Sequence, residues 1–376
     1  MKRSWIIILL LSTIISTGCK GDKESANSKT VSLTDSVYRL HYNKIKEIKI
    51  ESLLGAGFEN ISSHRFLYTA FAAPDKNHGI RKYDLDLKKI EEFVIPYGQG
   101  PNECISLRIL GGNEEEILVF DVQAQKYYLY NGDFSSRSNI QSGVLGGLVE
   151  YGYNYFPGRK TAVVAFWQKT SHSRADYNIY TRKIMGEKFE SRVIFKGHFD
   201  GFKSNGLLNL GEPYDFKVIG DYIYLLELAK YRFLKMDFTG KIISAVLVKN
   251  WPRKRFTRRQ LEKWVKEAGL DPRVTYPEKL WPACWLIRIN DGFAVGRRES
   301  YDTMEESDWI DADYFDLELN YKGKIKVHWF ILWRDPKFGQ GVAERRFLFR
   351  GNHLFTIETR DAGDDEDNFL IKWEVK

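Results

Sequence analysis

The sequence predicts an all-β fold: a six-bladed β-propeller of four-stranded antiparallel blades, interrupted by one small helical insertion. Three observations carry that prediction. From about residue 60 onward, short β-rich runs alternate with polar turns. Six look-alike segments begin at residues 81, 126, 176, 231, 313 and 368, spaced 45, 50, 55, 82 and 55 residues apart. Each has a β-rich partner run upstream, and a period of about 50 residues with about four strands is that of a propeller blade.

The chain opens with a segment of a different kind. Lys2 and Arg3 precede an apolar run from Trp5 to Ile15, which ends in Ser16-Thr17-Gly18-Cys19. A spanning helix needs about 20 apolar residues, and Lys20, Asp22, Lys23 and Glu24 stop any extension. Residues 1–18 therefore read as an export signal. The segment resembles a bacterial lipoprotein signal, although Ser16 stands where such signals usually carry leucine. That resemblance implies cleavage before Cys19 and lipidation of Cys19. Simple secretion, with Cys19 a bystander, is the alternative. Residues 19–31 are polar and predict a flexible tether, followed by the propeller over residues 32–376.

Without residues 1–18 the chain keeps 358 residues, and its formal charge falls from +7 to +5. The positive balance is modest and scattered, which argues against a nucleic-acid partner. Cys104 and Cys284 remain beside Cys19, as a bridge or as two buried thiols.

Within the propeller, the recurring segments are Arg81 to Lys88, Lys126 to Phe134, Asp176 to Ile184, Tyr231 to Ile242, Asp313 to Ile325 and Asn368 to Val375. Their partners are Phe66 to Ala72, Glu116 to Phe120, Thr161 to Trp167, Tyr222 to Leu228, Leu286 to Val295 and Arg346 to Ile357. The runs Ile117 to Asp121, Tyr222 to Glu227 and His353 to Glu358 share one logic: a strand runs into the inner part of a sheet, a turn follows and the next strand returns. A single sheet cannot bury both its faces, so neighbouring sheets must cover one another in a closed ring. The last segment lacks one strand. A strand within Lys44 to Leu54 can supply it and join the two ends of the domain. Asn290-Asp291-Gly292 predicts a tight hairpin turn.

The widest spacing holds the helical insertion, about residues 251–284. Thr257 can cap a helix over Arg258 to Ala268 that Gly269 ends. Leu261, Trp264 and Val265 form its apolar stripe, and its other faces are basic. It reads as a packed lid or as a docking surface for an anionic glycan or partner protein.

Tyr97-Gly98-Gln99-Gly100-Pro101-Asn102-Glu103 follows a strand and opens the next blade. With the stretch Tyr276 to Arg297, this Gly-x-Gly-Pro-x-Glu turn resembles the Bacteroidetes lipoproteins known as TolB-like or NHL-like six-bladed β-propellers. The resemblance covers residues 32–376 and the signal. It implies an envelope location and no common reaction; a lipid anchor at the outer membrane, a monomeric propeller and no cofactor are the accompanying expectations. Fold alone transfers no chemistry.

Candidate sites follow from residue type. The glycine-rich turn lacks the Lys-Ser/Thr ending and the following helix of a phosphate loop. Glu103 and Arg108 read either as a structural turn or as ligand-binding groups at the channel. Trp251, Trp281 and Trp309, expected in loops, are candidates for stacking on a sugar or anchoring a partner. Asp361, Asp364, Asp365 and Asp367 form an exposed turn or a weak calcium loop that lacks EF-hand spacing. The cluster Glu305, Glu306, Asp308, Asp311 and Asp313 has the same two readings, or pairs with the basic insertion. The seven histidines form no HxH or HxxxH pair, and no GxSxG elbow occurs. A non-catalytic binding or scaffold module for a glycan, peptide or partner protein of the envelope is the expected function. A polysaccharide lyase or hydrolase is the alternative.

Overall fold

The computed structural model describes residues 28–32, 37–50, 57–58, 61–72, 77–98, 100, 103–105, 107–121, 123–141, 149–169, 174–200, 214–228, 230–249, 283–289, 292–297, 309–328, 332–335, 339–342, 347–361 and 366–376. Their strands form six successive sheets about one axis, a six-bladed β-propeller. Blade 1 holds Gly57–Phe58, Phe66–Ala72, His78–Asp84 and Lys89–Ile95, from axis to rim. Blade 2 holds Leu107–Asn113, Glu116–Asp121, Lys126–Asn131 and Arg137–Ile140. Blade 3 holds Val149–Phe156, Thr161–Lys169, Arg174–Met185 and Lys188–Asp200. Blade 4 holds Tyr214–Ile219, Tyr222–Glu227, Arg232–Asp237 and Ile242–Lys249. Blade 5 holds Ala283–Ile289, Gly292–Arg297, Trp309–Asp316 and Tyr321–His328. Blade 6 holds Phe347–Arg350, His353–Asp361, Glu366–Val375 and, at its rim, Tyr42–Ile50. A separate hairpin, Leu332–Asp335 with Gly339–Val342, lies between blades 5 and 6 in sequence.

Period-two alternation explains why these strands bury both faces. In blade 3, Val163 and Ala165 pack toward blade 4, while Ala162, Val164 and Phe166 pack toward blade 2. In blade 4, Ile223 and Leu225 face blade 3, while Tyr224 and Leu226 face blade 5. Six apolar clusters result, one at each blade-to-blade contact, including the contact between blades 6 and 1 that closes the circle.

Closure comes from the N-terminal strand, as the sequence predicts. Tyr42–Ile50 pairs antiparallel with Glu366–Val375, from Ile50 opposite Asn368 to Tyr42 opposite Val375. His41 and Lys376 exchange backbone hydrogen bonds of 2.9 and 3.0 Å. Lys372 of blade 6 reaches Asp86 Oδ1 in blade 1 at 3.0 Å.

Three blades have a fifth strand where four were expected. Ser28–Ser32 runs parallel to the rim strand of blade 4, and Val37–Arg39 runs parallel to that of blade 5. Ile61–Ser62 runs parallel to the innermost strand of blade 2. The N-terminal chain thus passes along the rims of blades 4, 5 and 6 in turn. Pairing begins at Ser28, four residues before the expected start of the domain at 32. The predicted helix Arg258 to Ala268 lies outside the described residues, as does most of the insertion.

The sequence repeat has a physical origin in two recurring turns. The third and fourth strands of blades 1, 4 and 5 are joined after Asp84, Asp237 and Asp316. Each carboxylate accepts the backbone N–H groups two and four residues on, at 2.8–3.0 Å. The residue three on is left-handed: Leu87 (φ 61°), Gly240 (φ 85°) and Leu319 (φ 61°). Leu87 and Leu319 are fully buried, so packing offsets the cost of that conformation. A second turn joins strands two and three. Asp121 and Glu227 end their strands, and the residues four on, Gln125 and Tyr231, are left-handed (φ 54° and 51°).

The innermost strands run in the same sense about the axis. Gly111 of blade 2 lies against the Tyr155 backbone of blade 3, and Asp215 of blade 4 accepts the Leu286 N–H of blade 5 at 2.8 Å. Gly111 has φ 144°, and a Cβ there would lie 2.7 Å from the Tyr155 nitrogen. Gly111→Ala combines a forbidden conformation with a backbone clash. It is expected to lower stability by about 2–4 kcal/mol, read as a fall in denaturation midpoint without a change in slope.

Candidate functional site

The glycine-rich turn connects the rim of blade 1 to the axis of blade 2. Glu103 Oε2 accepts the Gly100 N–H at 2.7 Å, and the Glu103 N–H donates to the Gly100 carbonyl at 3.2 Å. Arg137 donates to the Gly100 and Glu103 carbonyls, both at 3.0 Å, with its guanidinium 4.0 Å from the Tyr128 ring centroid. A Cβ on Gly98 would sit 2.0 Å from Glu103 Oε2, and one on Gly100 would sit 2.9 Å from the same atom. The spacing Gly-x-Gly-Pro-x-Glu is therefore what lets a carboxylate fold back into its own loop. The following segment is pinned by Asp121 Oδ2, which accepts the Ile105 N–H at 2.9 Å, and by the His78 ring, 3.2 Å from the Ile105 carbonyl. Arg137, which the sequence reading did not single out, is the clamp of this turn.

Arg108 lies on the innermost strand of blade 2 and is half-buried. Trp251 and Trp281 lie outside the described residues, as do Cys19, Asp364 and Asp365. Trp309 was expected in a loop. It instead opens the third strand of blade 5, opposite His328, where sheet pairing begins. Asp361 and Glu366 close a hairpin, and Asp367 pairs with Lys49 at 2.7 Å, giving that aspartate a cationic partner on the closing strand. Among the described residues no group of three or more His, Cys, Asp or Glu side chains is placed to hold a metal ion, and no helix is long and apolar enough to cross a membrane. Cys104 is a buried thiol in the cluster between blades 1 and 2.

Asp313 departs most from its sequence context. Within a run of acids it is wholly buried, not solvated. It accepts hydrogen bonds from the Tyr231 hydroxyl of blade 4 and, at 3.4 Å, from the Tyr321 hydroxyl. Tyr231 is the left-handed residue of its turn, so the hydroxyl is aimed across the blade contact by a strained backbone.

The innermost strands place two arginines that sequence reasoning missed. Arg288 stands one residue before the end of its strand in blade 5, and Arg350 ends the corresponding strand in blade 6. Both precede the hairpin to the second strand, so both sit at the same end of the axis. Their signal was a lone charge within the apolar run Trp285-Leu286-Ile287-Arg288-Ile289 and another directly before Gly351-Asn352. Burial lowers the Arg288 pKa, with Tyr224 acting in the opposite sense. Burial pushes Arg350 down to about 10, and the neighbouring charge of Arg288 adds to that push.

These features define a class: a closed six-bladed β-propeller whose innermost strands line one axis. A protein of the DUF4221 family from Bacteroides vulgatus has a similar structure, with TM-score 0.51 at 10% identity, covering 90% of this chain and 98% of that one. A Bacteroides fragilis protein described as exported is similar with TM-score 0.50 at 11% identity, covering 93% of this chain and 100% of that one. At such identities the likeness is one of fold. No protein-family model and no curated protein matches the sequence.

Proposed function

We propose that this protein is an envelope-tethered propeller that acts as a non-catalytic binding or scaffold module for a glycan, peptide or partner protein. The observation that carries this reading is the ring itself. Six interlocked blades fix the relative positions of their loops, and the charged groups of the innermost strands stand on rigid elements rather than mobile ones. The tether rests on the export signal and Cys19, and the envelope location is supported by the exported protein of similar fold.

Two measurements test it. Mass spectrometry of the mature protein should find an N-terminal, lipid-modified Cys19, and an intact leader would remove the tether from the proposal. The full chain, screened against polysaccharide and peptide arrays and then incubated with the same polysaccharides, should show saturable binding without turnover. Cleavage of any polysaccharide in that panel would replace the binding role with an enzymatic one.

A further inference from the structure

The two innermost-strand arginines are unusual for how little they touch. Arginines on the outer strands of several blades have side-chain or carbonyl partners. Arg81 meets Glu92 at 2.8 Å, and Arg232 meets Glu227. Arg182 takes the Tyr127 hydroxyl at 2.8 Å, and Arg137 takes two carbonyls. Among the described residues, Arg288 has no hydrogen bond or ion pair with an acid, only the electrostatic influence of Tyr224. Arg350 has one long contact, 3.4 Å, to the carbonyl of its own neighbour Phe349, and its Nε is buried with no acceptor. The acid that the adjacent innermost strand offers, Asp215, is engaged by the Leu286 N–H and by Lys217 at 3.3 Å.

The buried Arg350 Nε without an acceptor is costly, and the like charge of Arg288 beside it adds to the cost. The fold nonetheless holds both on rigid strands at one end of the axis, and leaves Arg288 exposed. Guanidinium groups present several N–H donors in a planar fork suited to carboxylate, sulfate or phosphate oxygens. An oxyanion placed between the two would give the buried Arg350 Nε an acceptor and offset the repulsion. Desolvation by the surrounding strands would strengthen each bond.

We infer that Arg288 and Arg350 form an oxyanion-binding site at the hairpin end of the central axis, which receives an anionic group of the protein's ligand. The site rests on the binding reading above and narrows it to ligands that carry such a group. Tyr224 sits beside Arg288 with its hydroxyl donated to the Leu317 carbonyl at 3.1 Å, so it can border the site without competing for the anion.

The test is calorimetric titration of the full chain with sodium phosphate, sodium sulfate and sodium glucuronate, each at low ionic strength. At least one should bind saturably at one site per chain. Affinity should fall tenfold or more in Arg288→Gln and in Arg350→Gln, and binding should vanish in the double variant. Phosphate and glucuronate together distinguish a phosphate ligand from a sugar acid. Absence of saturable binding by all three probes would overturn the site, as would native affinity in the Arg288→Gln variant. Arg288 is exposed, so that variant remains informative if Arg350→Gln fails to fold. Array binding that survives in the double variant would overturn the assignment of the anion site to ligand capture while leaving the binding role standing.

Discussion

Asp313→Ala is expected to destabilise the protein by about 2–4 kcal/mol, among the largest effects of any single polar substitution in the ring. The side chain has no exposed surface, and its oxygens accept the Tyr231 and Tyr321 hydroxyls. Alanine would remove this acceptor from the buried Tyr231 hydroxyl and from the half-buried Tyr321 hydroxyl, at about 1–3 kcal/mol for a buried donor. It would also release Tyr231, whose left-handed backbone (φ 51°) is held by packing and by this bond. Asp313→Asn keeps an acceptor and should cost less. Tyr231→Phe should fall between the two, because it removes one donor but leaves the carboxylate its second partner. Denaturant unfolding monitored by tryptophan fluorescence and circular dichroism reads all three. A loss below about 1 kcal/mol in the alanine variant would mean that water replaces the carboxylate and that the contact between blades 4 and 5 is looser than described.

Removal of residues 1–50 should have a larger effect and abolish cooperative folding. The closing strand Tyr42–Ile50 covers the edge of Glu366–Val375 along its length, and Ile50 belongs to the cluster shared by blades 6 and 1. Without it, blade 6 exposes an unpaired edge and the ring loses its clasp. That loss is comparable to the whole stability of an ordinary domain, about 5–15 kcal/mol. Removal of residues 1–40 spares the closing strand and takes only the short rim strands Ser28–Ser32 and Val37–Arg39. It should leave a folded propeller with a lower midpoint. Two chains with equally cooperative transitions would show that blade contacts alone close the ring. The closing strand also carries Glu47, which Arg360 engages with both nitrogens at 2.9 and 2.7 Å. Arg360 donation, opposed by burial and aided by Lys44, holds the Glu47 carboxyl below its ordinary 4.5. A depressed carboxylate stabilises the fold above its unfolded value and loses that contribution as the pH falls through the folded one. The pair is largely solvent-screened, so Arg360→Gln should cost less than about 1 kcal/mol at neutral pH, and the part owed to Glu47 should vanish once that carboxyl is protonated.

Much of the architecture was open to reading from local pattern. The third strand of each blade announced itself because an alternating run leads into a turn, and in blades 1, 4 and 5 that turn begins with Asp84, Asp237 or Asp316. The runs Ile117 to Asp121 and Tyr222 to Glu227 marked the second strands because each leads into a turn and a returning strand. Ile289 stands opposite Gly292, the pairing that a tight turn predicted at Asn290-Asp291-Gly292 calls for. The fifth strands escaped notice because short polar segments such as Ser28–Ser32 and Val37–Arg39 pair through backbone groups, which leave no side-chain signature. Glu103 was read with two roles in view, and its contact with Gly100 shows how the turn uses it.

Sequence alone determined the number of blades, the strand that closes them and where their turns fall. Each depends on interactions among residues a few positions apart, or on alternation along one strand. Tertiary structure alone decided which charges lie inside. Asp313 sits among other acids, and Arg288 and Arg350 are separated by some sixty residues. Burial depends on the surfaces that neighbouring blades bring around a side chain, and those surfaces come from distant parts of the chain. Asp313 becomes a clamp because the ring has excluded its water, and the two arginines become neighbours only because blades 5 and 6 set their strands side by side.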